Sequence, residues 1–163
     1  MINDFRGQYR WLSNYHLAPV MYEGVLYPSS EHAYQAAKSL DPEIRLQFTG
    51  TYFTCNEARK FGQTVPLRDG WDQMKYQVMQ TILMDKFTRH ADLKELLLAT
   101  GQEHLEEGNN HGDRFFGTCP RLDSCGVGES PTGQNNLGKI LMWIRAQLRT
   151  DPFYLGYLAR TNQ

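Results

Sequence analysis

The 163-residue sequence predicts a mainly α, compact single-domain fold with a small antiparallel β element near the N-terminus. Three observations support this. The length suits one domain, and no repeat, low-complexity tract or linker divides the chain. Apolar residues recur at helical spacing in two long segments, residues 71–90 and 137–149. Only one pair of short strand-like runs, on either side of Glu23-Gly24, stands near the start.

In chain order, Pro19–Met21 and Val25–Tyr27 flank the Glu23-Gly24 turn and read as a hairpin. Pro28-Ser29-Ser30 announces a helix with a serine cap, running from about Glu31 to Ser39 and stopping before Asp41-Pro42. A short helical turn follows through Phe48. Thr54 and Glu57 have capping-box spacing and start a helix at Cys55 that ends near Gly62. Trp71–His90 carries the clearest stripe, with Met74, Val78 and Ile82 beside Met79 and Leu83. Asp92 is expected to cap a helix over Leu93–Thr100, closed by Gly101. The glycine-rich segment 102–135 reads as loop, with short strands at most. Leu137, Ile140, Leu141, Ile144 and Leu148 form one face of a last strong helix, Leu137–Arg149, and Asp151-Pro152 starts a final short one.

Composition narrows the function classes. Hydrophobic residues make up 40% of the chain, enough for a core without metal or disulfide support. A net charge of -1 argues against nonspecific nucleic-acid binding, although Arg59, Lys60 and Arg68 offer local phosphate contacts. No apolar run is long enough to span a membrane, and Met1–Phe5 shows no signal-peptide pattern. Three cysteines without such a leader point to a reducing, cytoplasmic setting. Cys119 and Cys125 match no C-x-x-C pattern, so no metal site is expected.

The chemistry concentrates in one helix. Glu31, Tyr34, Gln35 and Lys38 lie at spacings of zero, three, four and seven, so they share a face. That face offers a carboxylate, a phenol, an amide and an ammonium. Ala33, Ala36 and Ala37 let neighbours approach elsewhere. Glu31 also sits in the first turn, where the helix dipole favours its ionised form. Spacing alone leaves two readings open, a solvated face or a catalytic one. His32 points away from this face and reads as packing.

At this point the segment resembles the NADAR family. Trp11–Lys38, "WLSNYHLAPVMYEGVLYPSSEHAYQAAK", is similar to its "LSNF"-like turn, hairpin and "SEHxxQAxK" pattern. "WDQMKYQVM", Lys86-Phe87, "LLLATG" and "GQNNLGKILMWIR" follow in the family's order. The resemblance covers about residues 4–150. Two departures stand out. "DRFFG", Asp113–Gly117, has Phe116 where the family has tryptophan, and residues 118–132 make a longer loop.

The resemblance implies an N-glycosidase acting on ribose joined to an exocyclic base nitrogen, without a cofactor. The expected partner is an ADP-ribosylated guanine nucleotide, DNA end or single strand. The alternative is a small phosphoribosylamino-pyrimidine metabolite of riboflavin synthesis. A rival of another class is a non-catalytic ADP-ribose or nucleotide-binding module. Glu31 is the expected catalytic carboxylate, Lys38 a candidate for a Schiff-base route, and Asp113 an orienting group. Asn14, Tyr34, Gln35, Trp71, Glu107, Phe116, Gly117, Asn135 and Gly138 are expected substrate contacts. For Asn135 and Gly138, a phosphate site at the helix start and an ordinary cap are both open. Met74, Met79, Met84 and Met142 read as core. Lys75 and Lys86 read as a solvated helix face within possible reach of phosphate.

Overall fold

The computed structural model describes residues 1–119 and 133–150. They fall into two compact units: Arg10–His90, and Met1–Tyr9 together with the chain from Ala91 onward. A 3-10 turn, Gly7–Leu12, precedes strands β1 (Leu17–Tyr22) and β2 (Val25–Ser29). Helices α1 (Ser30–Ala37), α2 (Pro42–Leu46), α3 (Cys55–Gly62) and α4 (Trp71–Arg89) follow, then α5 (Ala91–Ala99) and α6 (Asn136–Arg149). The fold is helical with one two-stranded antiparallel sheet, as the sequence predicted. No helix among the described residues is long and apolar enough to cross a membrane.

In the Arg10–His90 unit, Glu23 and Gly24 both take positive φ, which turns the hairpin tightly. The strands extend further than the sequence suggested, to Leu17 and Ser29. Their register shifts between Leu17 and Val20, around Pro19, which has no N–H for the ladder. Ser29 caps α1, its Oγ accepting the His32 N–H. Thr54 and Glu57 close the capping box of α3. α4 lays Val78, Met79, Ile82, Leu83 and Phe87 into the core and packs against β1. Phe48, Phe53 and Phe61 form a second cluster with ring centroids 5.3 to 5.9 Å apart.

Lys86 overturns its expected place on a solvated face. It is fully buried, and its Nζ donates to the carbonyls of Trp11 at 2.8 Å and Ser13 at 3.0 Å. Of the four methionines read as core, only Met79 is fully buried; Met74 and Met84, and Met142 in the other unit, are half-buried.

In the other unit, α5 begins at Ala91, so Asp92 sits in its first turn rather than capping it. Ile2 bridges Leu105, and Leu137, Ile140, Leu141 and Ile144 of α6 are buried. Segment 102–119 holds isolated bridges and no strand. Cys119 is buried and disulfide-bonded, an arrangement that an odd cysteine count allowed but did not reveal. The expected helix after Asp151 and most of the longer loop lie outside the described residues.

Candidate active site

Every residue of α1 is buried. Ala33, Ala36 and Ala37 have no exposed surface, so α1 lies closely against β1, β2, α3 and α4. This packing carries Glu31 inside, leaving it 7% exposed. The Gln35 amide Nε2 donates to Glu31 Oε1 at 2.8 Å, one helical turn along the shared face. The Glu31 N–H donates to the Asn14 carbonyl at 3.1 Å. The "LSNY" turn therefore grips the start of α1 through its backbone. Asn14 Oδ1, Ser30 Oγ and Gln35 Oε1 are buried and have no protein partner.

Tyr34 packs on Trp71 at a centroid distance of 5.2 Å. Trp71 is only 6% exposed, so its stacking partner in the structure is Tyr34. Lys38 closes the face. Its Nζ donates to the Gly62 carbonyl at 3.2 Å and lies 5.9 Å from the Tyr34 ring centre. Burial lowers its pKa, while the Glu31 charge pulls it back up; Arg59 and Lys75 lower it further. The six residues Asn14, Glu31, Tyr34, Gln35, Lys38 and Trp71 thus lie in one unit; helical spacing implied the four that follow one face of α1, and the resemblance added Asn14 and Trp71.

Two neighbours were not singled out as site residues. Tyr15 feels the Glu31 charge, and the Arg59 cation of α3 acts on the same phenol in the opposite sense. Burial first, and then Glu31, raises the phenol's pKa. Tyr15 follows Asn14 directly, so the "LSNY" motif was a usable signal for it. Arg59 was named from the sequence only for a local phosphate contact; its influence on Tyr15, 44 positions away, had no local signal. His32 faces the other way, as expected. Phe53 O only accepts, so His32 Nε2 carries the proton and Nδ1 accepts from the Ser29 hydroxyl at 2.7 Å. Burial lowers its pKa, which keeps the ring neutral.

The remaining expected residues gather in the other unit. Asp113 Oδ1 accepts from the Phe115 and Phe116 N–H groups at 3.0 Å each, shaping the turn that buries Phe116. Phe116 meets Phe115 edge-on at 4.8 Å. Gly117 has no room for a Cβ against Asn109 and the Glu107 carbonyl. Glu107 Oε2 is buried without a protein partner. Its pKa rises to about 7 through burial first, then through the charges of Asp4 and Asp113, with Arg6 opposing.

Asn135 and Gly138 have structural roles. Asn135 donates through Nδ2 to the Leu105 carbonyl at 2.9 Å and accepts the Glu107 N–H at 3.0 Å. A Cβ at Gly138 would overlap the Leu105 carbonyl. The backbone N–H groups of residues 134–137 bond the carbonyls of Arg114, Gly117, Phe115 and Phe116. The helix start is therefore saturated and offers those amides to no phosphate.

The comparisons with known proteins fit this arrangement. The family model described as NADAR domain matches residues 3–149, which span both units. N-glycosidase YbiA of Shigella flexneri serotype 5b is 36% identical over 140 residues, 85% of this chain and 81% of that protein. Riboflavin biosynthesis protein VVA0006 of Vibrio vulnificus is 32% identical over 88% of this chain but only 37% of its own length. The NMR structure of the E. coli protein YbiA superposes with a TM-score of 0.75 at 32% identity, covering 93% of this chain and 87% of that one.

Proposed function

The chain belongs to the NADAR family and is an N-glycosidase, and from that premise we propose that it releases ADP-ribose from guanine by hydrolysing the bond from ribose C1′ to the exocyclic nitrogen. The observation that carries the proposal is the buried Glu31 carboxylate, held at 2.8 Å by Gln35, whose own Oε1 and the Asn14 Oδ1 are buried without a protein partner. Breaking the C1′–N bond sends its electron pair to nitrogen and leaves positive charge on the ribose. Glu31 stabilises that charge and takes a proton from the incoming water, whose oxygen bonds to C1′. The departing nitrogen takes up the proton that water gives to Glu31, which restores the carboxylate and leaves a free amino group and a ribose hemiacetal. Asn14 Oδ1 and Gln35 Oε1 suit ribose hydroxyl donors. A cytoplasmic location follows from this substrate class.

Lys38 offers a second route through an imine with the opened sugar. Its lowered pKa favours the neutral amine, but its bond to the Gly62 carbonyl ties it down. We place Glu31 hydrolysis ahead of it. The substrate has a second reading as well. The similarity to a protein named for riboflavin biosynthesis favours phosphoribosylamino-pyrimidines, which share the same ribose-to-exocyclic-nitrogen bond.

The test is release of ADP-ribose from a guanine-ADP-ribosylated oligonucleotide, followed by mass spectrometry. Glu31→Gln should reduce release at least roughly 100-fold. Lys38→Arg should keep most of it, because arginine retains the charge but forms no imine. Undiminished release by Glu31→Gln would overturn the role of Glu31. No release by folded wild type would move the substrate to the pyrimidine intermediates.

A further inference from the structure

We propose that Lys86 is a positioning residue for the reaction: through the Trp11 and Ser13 carbonyls it fixes the turn that carries Asn14 and holds the start of the Glu31 helix. The proposal rests on the N-glycosidase reading above and adds the support that keeps its carboxylate in place.

Local bonds give the turn its shape. The Ser13 N–H donates to the Arg10 carbonyl at 3.0 Å, the His16 N–H to the Ser13 carbonyl at 3.2 Å, and the Tyr15 N–H to Ser13 Oγ at 3.1 Å. Groups from three helices give it its place. Lys86 Nζ of α4 donates to the carbonyls of Trp11 at 2.8 Å and Ser13 at 3.0 Å. The Glu31 N–H of α1 donates to the Asn14 carbonyl at 3.1 Å, and Cys55 Sγ of α3 to the Tyr15 carbonyl at 3.4 Å. A thiol is a weak donor, and the Glu31 amide belongs to the group being placed. Lys86 is thus the main anchor from outside. Phe87, the next residue of α4, meets the Trp11 ring edge-on at 6.3 Å and holds the same end of the turn.

A lysine is a costly choice for this position. Lys86 has no exposed surface, and methionine or leucine would fill the space without desolvating an amine. What the amine adds is a pair of donors aimed across the core, at carbonyls 75 and 73 positions away in sequence. The segment they hold carries chemistry. Asn14 Oδ1 is buried without a protein partner, and the Asn14 carbonyl takes an amide from the first turn of α1. Release of the turn would shift both the acceptor offered to a ribose hydroxyl and the residue that bears the carboxylate. A misplacement of about 1 Å at a reacting group costs on the order of 100-fold in rate.

The test combines amide hydrogen exchange with steady-state kinetics on wild type, Lys86→Met, Lys86→Gln and Val78→Ala. Lys86→Met keeps most of the volume and removes both donors. Lys86→Gln keeps an amide donor on a shorter side chain and covers the case in which the methionine variant fails to fold. Val78→Ala empties core earlier on the same helix and controls for plain loss of stability. Exchange is read at the Glu31 N–H, which bonds the turn, against the Ala58 N–H, which bonds the Thr54 carbonyl at the start of α3. In Lys86→Met, protection of Glu31 should fall roughly 10- to 100-fold relative to Ala58, because the turn opens while α3 does not. Under folding conditions kcat on the guanine-ADP-ribosylated oligonucleotide should fall by a similar factor, with a smaller change in KM. Lys86→Gln should lie between wild type and Lys86→Met. Val78→Ala should lower both protections together and keep kcat near wild type. The proposal is overturned if the Lys86 variants keep the wild-type ratio of protections, if they keep the wild-type kcat, or if Val78→Ala reproduces the selective loss at Glu31. Selective loss at Glu31 in a protein that hydrolyses neither the oligonucleotide nor a phosphoribosylamino-pyrimidine would refute the proposed reaction and leave the anchor standing. Normal hydrolysis by Lys86→Met would do the reverse.

Discussion

Lys86→Met should flatten a pH dependence that the wild-type fold carries. Lys86 is fully buried, and burial brings its pKa down to about 7, with the Cys55 charge opposing. In the unfolded chain the same amine titrates near 10.4. Between these values the unfolded state binds one more proton than the folded state, so stability rises with pH. The sign is that of a depressed folded-state pKa. The contribution is present above the unfolded value and lost as pH falls through about 7. One pKa unit corresponds to about 1.4 kcal/mol, and half the proton is already off at pH 7. The gain from pH 7 to pH 9 is therefore about 2 kcal/mol. Methionine keeps most of the volume and has nothing to titrate. It also leaves the Trp11 and Ser13 carbonyls without their donor, which costs about 1 to 3 kcal/mol apiece and lowers stability at every pH. The assay is urea unfolding of both proteins at pH 7, 8 and 9. All other titrations are common to the two chains and cancel in the difference. The gap between wild type and variant should widen by about 2 kcal/mol across that range. A gap constant within about 0.5 kcal/mol would mean that Lys86 keeps its proton throughout, and that the two carbonyls compensate for burial more fully than the desolvation argument allows.

Two further outcomes follow from the same geometry. Gly62→Ala places a methyl against Gln35 Oε1 and Cβ, so Gln35 must leave Glu31; turnover should fall roughly 10- to 100-fold while the thermal midpoint drops only modestly, and turnover unchanged beside a normal melt would refute the orienting role of Gln35. Glu107→Gln imitates the protonated acid. The raised pKa of Glu107 means wild-type stability declines as pH rises from about 4.5 to about 7, so the variant should match wild type at pH 4.5 and exceed it by about 1 to 3 kcal/mol at pH 8 by chemical denaturation.

Local chemistry was legible where it is local in cause. The Thr54–Glu57 box, the Glu23-Gly24 turn and the shared face of Glu31, Gln35 and Lys38 depend on neighbours within a few positions. Contacts between distant segments were not. Lys86 read as a solvated lysine because its two carbonyl partners lie 75 and 73 positions away. The start of α6 was left between a phosphate site and an ordinary cap because nothing in "GQNNLG" shows that the 114–117 carbonyls take its amides. Trp71 read as a substrate contact from its motif alone; that its ring packs on Tyr34 follows from the packing of α1 on α4, which the sequence did not show. Asp92 read as a cap because a carboxylate before an apolar run usually is one, but α5 starts at Ala91, two residues before the expected Leu93.

The energetics of α1 point the same way as its chemistry. A helix chosen for stability alone would bury aliphatics at all eight positions, yet α1 buries Ser30, Glu31, His32 and Gln35. On the far side the polar groups are fully satisfied: His32 bonds Ser29 and Phe53 and remains neutral. On the Glu31 side they are not. Asn14 Oδ1, Ser30 Oγ and Gln35 Oε1 stay without a protein donor, at a cost of about 1 to 3 kcal/mol each if nothing else binds them. That asymmetry runs through one short helix, so poor packing in general does not explain it. It is explained if the missing donors arrive with a ligand or with the waters it displaces. A ribose supplies several hydroxyl donors within a few ångströms of one another. The orphan acceptors and the oriented carboxylate then answer two parts of one molecule: its hydroxyls and its developing positive charge.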